Sequence, residues 1–74
     1  MRKWLREIRR KKDLTQCEVA KICGISRSYY THIERGQKTP KVNIAKKIAR
    51  ELNFDWKIFF EDEYYFKEHS QRVG

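Results

Sequence analysis

The chain has 74 residues, 39% of them hydrophobic and 38% charged, with a formal net charge of +8. That length allows one domain around one small core, marginal alone unless its helices pack well or it dimerises, and an aromatic content of 14% excludes a disordered polar chain. Residues 1–50 hold 15 of the 18 Lys and Arg but only 4 of the 10 Asp and Glu, so a basic body precedes an acidic end; charge alone suits a polyanionic partner and a merely solvated surface equally well.

No apolar stretch approaches a membrane span, and the start Met1-Arg2-Lys3-Trp4-Leu5-Arg6 lacks the apolar run of a signal peptide. The expected location is therefore the cytoplasm. Cys17 and Cys23 fall on different faces of one expected helix, which argues against a disulfide between them. Two cysteines and two distant histidines are too few for a zinc site, and no metal or cofactor is expected. Cys23 reads as a small core residue and Cys17 as partly exposed.

In chain order, residues 3–12 predict a first helix with Trp4, Leu5 and Ile8 on one side, broken at Asp13-Leu14. Thr15 followed by Glu18 is a capping-box signature, so a second helix starts near Gln16 and ends at Gly24. Ser26 caps a third helix that runs to about Arg35 and stops at Gly36. Small Ala20 lets these two helices cross closely, and Val19, Cys23, Ile25, Tyr30 and Ile33 fill the angle between them. That pattern is the physical content of a helix-turn-helix. Gln37-Lys38-Thr39 is a polar loop, and Thr39-Pro40 predicts a fourth helix with proline at its first position. Ile44, Ala45, Ile48, Ala49 and Leu52 form its apolar stripe. Asn53 tolerates the left-handed conformation that ends it, and Asp55 caps a fifth helix holding Trp56, Phe59 and Phe60. Residues 62–74 form a tail that can be an arm, a helix extension or disordered.

Leu14-Thr15-Gln16, Ala20, Gly24-Ile25-Ser26, Ile33-Glu34-Arg35-Gly36, Pro40 and Phe54-Asp55-Trp56-Lys57-Ile58-Phe59-Phe60 resemble the Cro and phage-repressor (XRE-type) helix-turn-helix family, in that order, over residues 3 to 61. The resemblance implies an all-α, compact five-helix lambda-repressor-like DNA-binding domain over residues 1–61. It also implies that the third helix enters the major groove, where base edges are distinguishable. With Ser26 as the cap, Arg27, Ser28, Thr31 and His32 fall on the face away from Tyr30 and Ile33 and are the expected base readers, and the resemblance makes the positions of Arg27, Ser28 and His32 the family's usual readers. Arg27 can pair with guanine O6 and N7, Ser28 can donate or accept, Thr31 can offer its methyl to thymine or reach a phosphate, and His32 can bond guanine N7.

Gln16, Tyr29, Lys38, Thr39 and Lys41 are the expected phosphate contacts, and the resemblance implies that Gln16 also braces the first reader, Arg27. The family places an arginine of the first helix against a glutamate of the third as an internal ion pair, which implies Arg9 with Glu34 and makes Arg9 structural. The run Arg9-Arg10-Lys11-Lys12 otherwise reads as the solvated end of a helix. Cys17 departs from the polar or acidic residue usual at its place, and the acidic aromatic tail lies outside the resemblance.

The function that follows is a sequence-specific regulator of transcription, a repressor binding double-stranded DNA as a homodimer on a two-fold operator. Phe60, Tyr64, Tyr65 and Phe66, with Trp56 and Phe59, are the candidate dimer or partner surface, because so short a chain cannot bury them all. An antitoxin, anti-repressor or phage accessory protein that holds a protein partner through the same fold and its tail is the alternative. An enzyme is not expected: no nucleophile sits with a base, no carboxylates pair in an apolar setting, and no glycine loop cradles a phosphate.

Overall fold

The computed structural model describes residues 1–61; Tyr64, Tyr65 and Phe66 lie outside the described residues. Four α-helices follow in order, α1 (Lys3–Lys11), α2 (Gln16–Cys23), α3 (Arg27–Glu34) and α4 (Val42–Leu52). A short helical turn over 58–61 stands as the fifth. Asp13, at φ 57°, turns the chain out of α1 in the left-handed conformation that Asp tolerates better than most residues.

Local chemistry sets the helix ends. Glu18 N–H donates to the Thr15 hydroxyl at 3.1 Å, and Thr15 N–H donates to Glu18 Oε1 at 2.9 Å, closing the capping box of α2. Those bonds hold the Glu18 carboxyl below its ordinary pKa. Ser26 accepts from Tyr29 N–H at 3.0 Å to cap α3. Gly24 ends α2 at φ 69°, and Asn53 ends α4 at φ 60°.

Proline does not open α4 as expected. Pro40 is fully buried and Lys41 stays extended (φ −65°, ψ 158°), so the helix begins at Val42 with Lys41 as its N-cap. The first α-helical bond runs from Ala45 N–H to the Lys41 carbonyl at 2.8 Å. Burying the proline ring holds that stretch extended, and a lysine has no short acceptor to cap with.

The core is the junction of all these elements. Leu5, Val19, Ala20, Cys23, Tyr30, Ile33, Ala45, Ile48, Leu52 and Phe59 form one buried cluster. Trp4, Phe54 and Phe59 meet edge to face with ring centroids 5.3–5.6 Å apart. Phe59 therefore belongs to the core and not to an outer surface. Trp56 and Phe60 stay partly exposed, edge to face at 5.8 Å, with the Lys46 ammonium 5.2 Å from the Trp56 ring. Among the described residues no helix is long and apolar enough to cross a membrane.

Gly24 separates a backbone requirement from a packing one. A Cβ built there meets nothing within 4 Å, so only the positive φ penalises a side chain. Gly24→Ala is expected to cost about 1–2 kcal/mol, and Gly24→Asn less, by urea unfolding.

Candidate nucleic-acid interface

The turn between α2 and α3 is tied by short backbone bonds. Gly24 N–H donates to the Lys21 carbonyl at 3.2 Å and Ile25 N–H to the Ala20 carbonyl at 3.0 Å. Ala20, 2% exposed, sits where the two helices cross, and Val19, Tyr30 and Ile33 close the space beneath. Pointing Tyr30 and Ile33 inward turns Arg27 and Ser28 outward; both are exposed, with Thr31 and His32 half-buried beside them. The four expected base readers thus lie along the outer face of one short helix, with the most accessible pair at its N-terminal end.

Gln16 and Arg27 line one wide, open hollow, together with Arg10, Thr15 and Cys17. Cys17 is exposed, whereas Cys23 is buried and burial pushes its thiol pKa up. On the other side of α3, the Lys38 ammonium lies 5.9 Å from the centroid of the half-buried Tyr29 ring. Lys38 and Lys41 are both exposed. Thr39 is half-buried, and its hydroxyl accepts from Arg2 Nη2 at 3.2 Å.

Beneath this face Arg9 and Glu34 pair as expected. Arg9 Nε donates to Glu34 Oε2 at 2.9 Å and Nη2 to Oε1 at 3.0 Å, with side chains only 10% and 2% exposed. The remaining guanidinium nitrogen, Nη1, donates to the Leu14 carbonyl at 2.7 Å. Burial pushes the Glu34 carboxyl up, but Arg9, helped by the neighbouring Tyr30 hydroxyl and by Gln16, pulls it further down, to a net position below the ordinary value. The Glu34 bond raises Arg9. Tyr30 hydroxyl is buried beside the pair, feels both charges, and meets no partner in hydrogen-bond geometry. Its own pKa is raised, first by burial and then by Glu34.

One arrangement differs from the expected one, since Gln16 braces Thr31 and Glu34 in place of Arg27, and a second escaped the sequence reading. The Gln16 amide is engaged inside the protein: Nε2 donates to Glu34 Oε1 and Oε1 accepts from the Thr31 hydroxyl, both at 3.2 Å. One Nε2 proton is left over, so a phosphate contact is still chemically open to it. Arg2, given no role from sequence, ties the start of the chain to the end of α3. Its N–H donates to the Glu34 carbonyl at 2.8 Å, and its Nη1 donates to the carbonyls of Ile33 and Lys38. The guanidinium also stacks 5.5 Å from the Phe59 ring.

A family model described as helix-turn-helix matches residues 5–59. The chain belongs to the helix-turn-helix family. It is 50% identical over 72 residues to an uncharacterized HTH-type transcriptional regulator, YqaF, of Bacillus subtilis, covering 97% of this chain and 95% of that one. It is 35% identical over 54 residues to the ImmF control region 10 kDa protein of Bacillus phage phi105, covering 73% of this chain and 60% of that protein. It is also 35% identical over 46 residues to the cryptic phage CTXphi transcriptional repressor RstR of Vibrio cholerae, covering 62% and 41%. As a helix-turn-helix protein, this chain carries its family's defining motif on α2 and α3.

The buried pair sets a pH dependence whose sign is fixed. Glu34 has a lower pKa folded than unfolded, so its contribution is present above the unfolded value, near 4.5, and is lost as pH falls through the folded value. Acid unfolding of Glu34→Gln, followed by circular dichroism, is expected to depend less steeply on pH. At neutral pH, Arg9→Met alone is expected to cost about 3–5 kcal/mol, and adding Glu34→Leu to recover much of it, because the single change strands a buried charge.

Proposed function

We propose that this chain is a sequence-specific, double-stranded DNA-binding regulator of transcription that acts as a repressor. It lays the outer face of α3 in the major groove and binds a two-fold operator as a homodimer. The observation that carries this reading is the exposure of Arg27 and Ser28 at the N-terminal end of a helix that follows the Gly24 turn. Groove geometry favours base contacts from that end of a recognition helix. Arg27, Ser28, Thr31 and His32 take the base-reading roles.

Gln16, Tyr29, Lys38, Thr39 and Lys41 take the phosphate roles, which position the protein without reading sequence. The excess of Lys and Arg over residues 1–50 supports the electrostatic part of the binding. Trp56 and Phe60, packed against the core yet partly exposed, are the described part of the proposed dimer surface; Tyr64, Tyr65 and Phe66 belong to it in this reading. The names of the relatives, a transcriptional regulator and a transcriptional repressor among them, support the same class of function.

Selection from random duplexes with the full chain tests the proposal. The expected product is an inverted repeat with half-site centres about one helical turn apart. Arg27→Ala is expected to relax preference at one base position by about tenfold. Lys41→Ala is expected to weaken all sequences alike and to make the salt dependence shallower by about one unit of slope. Enrichment of no motif would overturn the proposal.

A further inference from the structure

The hydrogen bonds under the outer face of α3 form a chain with a fixed direction. Glu34 is paired through both oxygens with Arg9, so it is a carboxylate and can only accept. Gln16 lies 3.2 Å from Glu34 Oε1 and must present its Nε2 there, since an amide oxygen against a carboxylate oxygen would set two acceptors face to face. That choice fixes the other end of the same amide. The atom 3.2 Å from the Thr31 hydroxyl is Gln16 Oε1, which has no proton to give. The Thr31 hydroxyl therefore donates, and it has one proton. Toward the groove Thr31 is left with oxygen lone pairs and a methyl group.

We propose that Thr31 reads the duplex strictly as an acceptor, selecting a base that presents an amine to the major groove (adenine N6 or cytosine N4) over one that presents a keto oxygen there (guanine O6 or thymine O4) at the place it faces. The inference rests on the DNA-reading role of α3 proposed above. In the major groove the donors are adenine N6 and cytosine N4, whereas guanine O6 and thymine O4 only accept. A serine or threonine hydroxyl ordinarily suits either kind by rotating its proton. Here Gln16 holds that proton, and Gln16 is in turn oriented by the buried pair. Gln16 and Glu34 are positioning residues in this scheme, because they act on the base through Thr31. When an A·T pair is read, the methyl of Thr31 can also meet the thymine methyl opposite.

Base analogues provide the test, on the duplex enriched by the full wild-type chain. Each adenine or cytosine of the motif is replaced in turn by purine or 2-pyrimidinone, which lack the exocyclic amine. One such deletion is expected to weaken wild-type binding by about three- to tenfold and to leave Thr31→Val binding unchanged, since a single neutral hydrogen bond is at stake. Gln16→Met frees the hydroxyl proton, so it is expected to admit guanine or thymine at that position while other positions keep their preferences. Circular dichroism melts establish that each variant is folded; should Gln16→Met fail to fold, the comparison with Thr31→Val decides alone. If wild type enriches no motif, the DNA-reading role falls and this inference with it. If a motif is enriched but every amine deletion affects wild type and Thr31→Val equally, or if Thr31→Val alters only a contact to a keto oxygen, the acceptor assignment alone is overturned.

Discussion

The two-point bond between Arg9 and Glu34 fixes how α1 stands against α3, and the outer surface inherits its geometry. A guanidinium and a carboxylate this deeply buried each carry a desolvation cost, which their attraction offsets only when the fork geometry is met and the remaining polar atoms are satisfied. Here Leu14 accepts the third guanidinium bond, and Gln16 supplies the second donor to Glu34 Oε1. The pair cannot slide or rotate without breaking one of these, so it defines orientation more than it adds net stability. Because Gln16 opens α2 and Glu34 closes α3, the same small network ties together the three helices whose arrangement makes the motif.

A second tie works from the chain's beginning. Carbonyls at the end of a helix have no partner within it. In α3 those of Ile33 and Glu34 are met by the side chain and backbone of Arg2, while that of His32 accepts from Gln37 and Lys38 N–H. The C-terminal end of α3 and the loop that carries Lys38 and Thr39 are therefore braced by one residue that also contacts Phe59 in the core. The N-terminal end of α3, by contrast, is held by the Ser26 cap and the Gly24 turn and leaves its first side chains in solvent. A helix fixed at one end by long-range bonds and exposed at the other has the form required to insert side chains into a groove.

Much of this was legible in the sequence where the determining contact is local. The Thr15–Glu18 box, the Ser26 cap and the left-handed Gly24 and Asn53 all depend on residues within a turn of one another, and the structure has them as read. The Arg9–Glu34 pair spans 25 residues and came only through the family resemblance. Arg2 was not legible because its partners lie 31 to 37 positions away, and nothing in a lone basic residue near a chain start marks such contacts. The start of α4 was misplaced because a preference for proline at the first helical position is a local rule, and burial of the Pro40 ring overrode it. The direction of the Gln16 amide is invisible in any spacing, since it depends on which atom faces a carboxylate.

Counting charge also means something different once the contacts are known. Arg2 and Arg9 both belong to the basic half of the sequence, yet their guanidiniums face carbonyls, a carboxylate and a ring inside the protein. They contribute to the overall field while their side chains are committed to contacts within the protein. Arg10, Arg27, Lys38 and Lys41, by contrast, are all exposed. The distinction separates two jobs that a composition treats as one: cations that shape the surface from beneath, by holding α3 and its loop in place, and cations that act at the surface itself. The proposed reading of DNA needs both kinds, because a flexible charged face would bind any polyanion, and discrimination between base pairs requires side chains held to a fixed geometry.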